Sequence, residues 1–163
     1  MDAQLVKELF DYDPETGILR WRISISCHKR GSVAGSRKSN GRYLEVRYKG
    51  GWFLAHRLIF LWMTGRWPEP ETDHLDLDGV NNRWCNLRES TKSQNAANRA
   101  AFRTNRTGLK GVVNVVRDGK AKFEARIRID GKQKHLGRFE TAQEAHAAYV
   151  TAAKRFFGDF AHS

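Results

Sequence analysis

The chain has 163 residues, room for one ordinary domain or two small ones. Lysine and arginine outnumber aspartate and glutamate by 29 to 18, a net charge of +11, which favours a polyanionic partner such as nucleic acid over a merely soluble basic protein. Cys27 and Cys85 are too few for a cysteine-rich zinc site or a secreted disulfide scaffold, the opening MDAQLVKELF lacks the pattern of a signal peptide, and the longest apolar stretch, Leu58 to Met63, is too short to cross a bilayer.

In chain order, Asp2 is placed to cap a short helix with an apolar face of Leu5, Val6, Leu9 and Phe10. DYDPETG then reads as a turn, and ILRWRI, Ile18 to Ile23, alternates apolar with basic as a strand does. After the glycine-rich loop GSVAGSRKSNGR, YLEVRY from Tyr43 to Tyr48 alternates again, and KGGWF fits a hairpin turn into the next strand. From Leu54 to Met63 the period turns helical, and Gly65 and Pro68 stop it. This front third is a small α+β scaffold that supports the polar stretch after it.

That stretch, TDHLDLDGVNNRWCNLRESTKSQN, Thr72 to Asn95, gathers acids, a histidine and asparagines into an otherwise basic chain. It is not a calcium loop. Asp76, Asp78 and Gly79 copy that spacing, but His74 would open the loop and Cys85 would close it, where calcium needs hard oxygens. A strand ending at Asp73 and His74, a turn over DLDGVNNRW and a returning strand over CNLRES fit better. Thr91 and Gln94 then form a capping box that opens a helix carrying Asn95. In that order of elements Asn95 can face Asp73, and the two offer hard oxygens to a divalent ion. His74, on the other side of the strand from Asp73, is a candidate base. Asn86 can accept the Nδ1 proton of its ring and leave Nε2 to take a proton near neutral pH. Asp76, Asp78, Gly79, Asn81 and Asn82 are read as turn-shaping residues. Arg88 and Arg99 are candidate phosphate clamps, and His56 is read as structural.

Asp73-His74, then Asn86-Leu87, then Asn95 resembles the HNH nucleases with a ββα-metal fold, above all the phage and intron-encoded homing type. AHRLIFLWMTGRWP and DHLDLDGVNNRWCNLRESTKSQNAANR carry the likeness, which covers most of residues 40–100. The resemblance implies hydrolysis of a DNA phosphodiester with one divalent cation, magnesium or manganese, to 3′-hydroxyl and 5′-phosphate ends. It gives His74 the activation of water, Asn86 the orientation of His74, and Asp73 and Asn95 the metal. The last motif position is asparagine rather than histidine, a variant of the homing subgroup.

The tail carries the charge. Residues 1–98 hold 15 basic and 12 acidic side chains, and residues 99–163 hold 14 and 6. The helix is expected to continue through AANRAAF. RTNRTG then marks a basic linker, giving an expected nuclease domain over 1–102, a linker over 103–107 and a second domain over 108–163. Three strands follow, Lys110 to Val116, Phe123 to Ile129 and Gln133 to Phe139, joined by turns at RDGK and DGK. Thr141 and Glu144 form another capping box, and the helix behind it carries Ala145, Ala148, Tyr149, Ala152 and Phe156. In the middle strand Phe123, Ala125, Ile127 and Ile129 alternate with Glu124, Arg126 and Arg128, so the arginines face out, as in sheets that enter the major groove. TGLKGV, the run from KFEARIRIDGKQKHLGRF into the helix, and FAHS resemble the APETALA2/ERF-type DNA-binding domain over about residues 107–162. By position the resemblance puts Lys110, Arg126, Arg128, Gln133 and His135 on the DNA face. Val113, Val115 and His135 stand where that family has two arginines and a tryptophan.

The reading is therefore an α+β enzyme that cuts double-stranded DNA, with no organic cofactor and no membrane, as a monomer or weak dimer in the cytoplasm of a bacterial or phage-infected cell. Its rivals are a non-catalytic DNA-binding regulator on a nuclease-derived scaffold and an RNA-binding or RNA-cleaving protein.

Overall fold

Asp2 accepts the amide of Leu5 through its side chain at 2.9 Å, and the helix it caps, α1, runs Ala3–Leu9. The computed structural model describes residues 1–37, 41–100, 105–117 and 120–162. Helices and antiparallel strands form two units, Met1–Ser90 and Thr91–Ser163. The division falls between Ser90 and Thr91, ahead of the linker expected at 103–107. Residues 103 and 104 of that linker, Ala101 and Phe102 of the expected helix extension, Asp118 and Gly119 of the RDGK turn, and residues 38–40 of the glycine-rich loop lie outside the described residues. Among the described residues no helix is long and apolar enough to cross a membrane.

In the first unit α1 leads straight into β1 (Phe10–Asp13), which pairs with β2 (Ile18–Trp21). DYDPETG is thus half strand and half turn. Tyr12 and Phe10 point into the core, and the turn begins only after Asp13, whose carboxylate accepts the Glu15 amide and the Thr16 hydroxyl. β3 (Ser36–Arg37), β4 (Leu44–Tyr48) and β5 (Gly51–Leu54) form a meander. Lys49 and Gly50 both have positive φ, 44° and 79°, the conformation a two-residue hairpin turn requires. β5 passes into α2 (Ala55–Thr64), which ends on Gly65 in the left-handed region, as the glycine predicts. α2 gives the core Leu58, Ile59 and Leu61, which pack with Val6, Phe10, Trp21 and Val46. Each large apolar side chain there contributes on the order of 2 kcal/mol by leaving water. On this base stand β6 (Glu71–His74) and β7 (Leu87–Ser90), antiparallel, with Asp73 opposite Arg88 and His74 opposite Leu87.

In the second unit Thr91 makes both bonds of its capping box and opens α3 (Lys92–Asn98). β8 (Val112–Arg117), β9 (Lys120–Ile129) and β10 (Lys132–Phe139) form an antiparallel sheet with β9 in the middle. Asp130 and Gly131 turn β9 into β10 with φ of 49° and 77°. α4 (Ala142–Phe157), capped by Thr141, lies on one face of the sheet. Its buried stripe is Ala145, Tyr149, Ala153 and Phe157, one residue later at its far end than the expected stripe, so Phe156 is exposed. Gly111 lies so close under Tyr149 that a Cβ there would come within 2.0 Å of the ring.

Candidate active site

β6 carries Asp73 and His74 to its end, where both are buried. A strand turns neighbouring residues to opposite faces, so the two side chains have different surroundings. Asp73 faces its cross-strand partner: the Nε and Nη2 of Arg88 both donate to its Oδ2, at 3.0 Å each. Both donors share one carboxylate oxygen, and each bond is charge-assisted. Arg88, expected as a phosphate clamp, is thereby committed to Asp73, because the register sets the two directly opposite.

His74 faces inward. Its Nε2 lies 3.0 Å from Oδ1 of Asn82. Edge-on against it at 5.0 Å between centroids is the ring of His56, and Tyr43 flanks both rings at 5.2 and 5.9 Å. Burial, helped by the neighbouring His74 and Arg57, drives the pKa of His56 down to about 3, so it sits there as a neutral ring. Its Nδ1 is buried and has no hydrogen-bond partner among the described residues.

Asn86 does not supply the oxygen expected for the His74 ring. Its amide nitrogen donates to Asp76 Oδ1 at 2.9 Å and to the Asn81 carbonyl at 2.7 Å, and its Oδ1 accepts the Asp76 amide at 3.1 Å. The physical reason is local. The chain turns back on itself between β6 and β7, so Asn86, at the end of a short 3-10 turn over Trp84–Asn86, meets the start of the loop before it meets the imidazole. Asp76 also accepts from the Asp78 amide and from Asn81 Nδ2. Burial raises its pKa, but the hydrogen bonds of Asn81, Asn86 and Asp78, with the charge of His74, outweigh that and hold it below the ordinary carboxylate value. Asp76, Asp78 and Asn81 thus shape the turn, as read from the sequence. Gly79 is required there, since a Cβ would stand 2.2 Å from the Arg42 carbonyl oxygen and 2.6 Å from the Tyr43 ring. Asn82, read as one more turn residue, is the partner of His74, and no local signal singles it out from its neighbours.

In the second unit Asn95 is half-buried on α3, and Arg99, just past its end, is exposed. On the sheet the alternation in β9 is as expected: Ala125 and Ile127 are buried, and Arg128 is exposed. Glu124 departs from it, being buried on the arginine side. Arg126 donates to its Oε2 from Nε at 3.0 Å and from Nη2 at 2.5 Å, and Arg138 donates to its Oε1 at 2.8 Å. His135 Nε2 is 3.8 Å from the same carboxylate. The bonds from Arg126 and Arg138 pull the Glu124 pKa down to about 2. Arg126, Arg128 and Gln133 line one open groove with Val113 and Val116, which are themselves 40% and 71% exposed. Lys110 does not stand on that face. Its ammonium donates to the carbonyls of Ala97, Arg99 and His162, and burial lowers its pKa to about 8. It is drawn there because the C-terminal end of α3 leaves carbonyls without helical partners.

Residues 53–97, from β5 to α3, match the family model described as HNH endonuclease. The chain is also 28% identical over 118 residues to an uncharacterized HNH endonuclease of Acanthamoeba polyphaga mimivirus, an alignment that covers 71% of this chain. The chain spans 59% of that relative's length. No solved structure matches. Asp73, His74, Asn86, Arg88 and Asn95 all fall inside the matched segment, and both likenesses are to nucleases.

Proposed function

We propose that the chain is a DNA endonuclease of the HNH homing type, divalent-metal-dependent, with a C-terminal APETALA2/ERF-like sheet for targeting. The observation that carries the reading is the end of β6, where consecutive residues are a buried carboxylate and a buried histidine within the segment similar to HNH endonucleases.

His74 takes the proton from the attacking water. Arg88 holds the Asp73 carboxylate at one oxygen. Asn86 acts through the loop, fixing Asp76 and Asn81 so that the strand end keeps its shape. Among the described residues there is no group of three or more His, Cys, Asp or Glu side chains that could hold a metal ion. That suits magnesium, or manganese in its place, which commonly takes one or two protein oxygens and leaves its other positions to water and phosphate. Asp73 would hold such an ion, with Asn95 as the further oxygen that the resemblance implies. When bound, the ion neutralises charge on the scissile phosphate and the departing 3′ oxygen. Targeting falls to the open sheet groove, where Arg128 and Gln133 reach DNA and Arg126 and His135 stand against Glu124.

A supercoiled plasmid tests the reading. The protein should nick it with magnesium or manganese and not with EDTA, leaving 3′-hydroxyl and 5′-phosphate ends. His74→Ala should lower the rate by about a thousandfold while retaining DNA affinity. An intact plasmid with either metal, or undiminished cutting by His74→Ala, rejects it.

A further inference from the structure

A histidine used as a base must hold its proton on one nitrogen and its lone pair on the other, and the side chain that sets this is itself part of the site. We propose that Asn82 is the positioning residue of His74: its Oδ1 accepts the Nε2 proton, which fixes the ring in the tautomer with its lone pair on Nδ1. This rests on the nuclease reading only for the role of the ring, since the tautomer is a property of the folded protein.

The geometry supports the assignment in three ways. Oδ1 of an amide can only accept, so the 3.0 Å contact is a hydrogen bond in the tautomer with the proton on Nε2. Asn82 is 2% exposed, among the most deeply buried side chains of the molecule, and polar groups are buried at that depth when they have a partner that needs them. Its backbone is fixed from the N-terminal scaffold. The Tyr12 hydroxyl donates to its carbonyl at 2.7 Å, and its own amide donates to Val80 at 3.1 Å. Gly17 lies so near that a Cβ there would be 2.5 Å from the Asn82 carbonyl carbon. Burial, with Asp13 and Cys85 nearby, raises the pKa of the Tyr12 phenol, so it remains a donor throughout the ordinary pH range. The turn between β1 and β2 therefore does more than fill the core: it holds the amide that orients the base.

Asn86 does not do the same work in this arrangement: its amide protons and its oxygen bond to the loop. The two asparagines divide the task. Asn86 closes the loop from inside, and Asn82 carries the loop's grip to the ring.

The test uses the full-length protein labelled with nitrogen-15. Long-range proton–nitrogen correlation of the imidazoles, with His74 assigned by its loss in His74→Ala, reports the tautomer of neutral His74. The expected result is the Nε2–H pattern in the wild type, retained in Asn82→Asp and replaced by a mixture in Asn82→Ala. In plasmid cleavage, Asn82→Ala should lower kcat by about ten- to a hundredfold with KM unchanged, as loss of an orienting partner does, and Asn82→Asp should recover most of it. Tyr12→Phe, which removes the grip on the Asn82 carbonyl and nothing from the ring, should give a smaller fall in kcat. A wild-type His74 protonated on Nδ1 overturns the proposal, and so does an Asn82→Ala protein whose tautomer and kcat are those of the wild type. Should Asn82→Ala not fold, the wild-type tautomer and the Tyr12→Phe rate decide. A wild type that shows Nε2–H but never cuts DNA would reject the nuclease reading and leave the assignment of Asn82 standing.

Discussion

In Met1–Ser90 the buried polar residues gather around one strand end: Asp73, His74, Asn82, Asn86 and His56 are each under a tenth exposed. In Thr91–Ser163 the polar residues of the sheet stand on an open face, and there the carboxylate of Glu124 is buried between arginines. The first arrangement suits chemistry, because fixed groups away from water need no reorganisation when a reaction begins. The second suits reading, because exposed side chains on a rigid strand can meet a long polyanion at several points. The two units thus differ in kind, an enclosed polar loop in the first and an open basic surface in the second.

The comparison breaks most readily at Asp73. Asp73→Asn should lower the cleavage rate by about a hundredfold or more, since the carboxylate is the single charged oxygen donor proposed for the metal, and should leave DNA affinity within about twofold. Equal loss of cutting and binding would mean that the strand end contributes to grip rather than chemistry. The enclosed loop should also be the less tolerant of added bulk. Gly79→Ala places a Cβ 2.2 Å from a backbone oxygen and is expected to destabilise the first unit by about 3 kcal/mol in urea denaturation. Gly131→Ala, with nothing within 4 Å, meets only the strain of φ +77° and should cost about 1 kcal/mol. Equal costs at the two glycines would show that the loop is not packed on the Arg42–Tyr43 backbone.

What is legible in the sequence is local. The capping boxes at Thr91 and Thr141, the Asp130–Gly131 turn and the strand ending on Asp73 and His74 each depend on residues within a few positions of one another, and the structure has them all. What is not legible depends on register and return of the chain. Arg88 reads as a phosphate ligand until strand pairing sets it opposite Asp73. Lys110 reads as part of a basic face, but its acceptors come from Ala97, Arg99 and His162, which no window of sequence holds together. Asn82 and Asn86 are chemically identical and four positions apart. Only the path of the loop decides which of them meets the imidazole. The boundary between units shows the same limit: the basic run at 103–107 reads as a linker by composition, while α3 packs with the sheet that follows it through Ala97 and through Ser93, whose hydroxyl accepts the Asp130 amide.

On the open face the question is which arginine is available. Arg126 is tied to Glu124 and Arg128 is exposed, so Arg128→Ala should lower DNA affinity by about tenfold at moderate salt and reduce the slope of log K against log salt by about one. Arg126→Ala should change the slope less and the stability of the second unit more. A slope unaltered by either substitution would remove this face as the reader.

In acid the two units should separate. His56 has its pKa lowered from 6.5 to about 3 in the fold, so the unfolded chain binds the proton first. The contribution of the neutral ring is whole above pH 6.5 and is lost as pH falls towards 3, by up to about 1 kcal/mol for each pH unit. Glu124 has its pKa lowered from 4.5 to about 2, chiefly by the bond from Arg126 and then that from Arg138. Its contribution is present above pH 4.5 and is lost only between 4.5 and 2. Thermal unfolding followed by tryptophan fluorescence should report the first window, because all five tryptophans lie at or before Trp84, in the first unit. Amide exchange of β9 should report the second. His56→Gln should abolish the first window and leave the second, and Glu124→Gln should do the reverse. A single shared window, unmoved by either substitution, would mean that the acid response belongs to neither buried group, and that the polar networks of the two units do not set their stability separately.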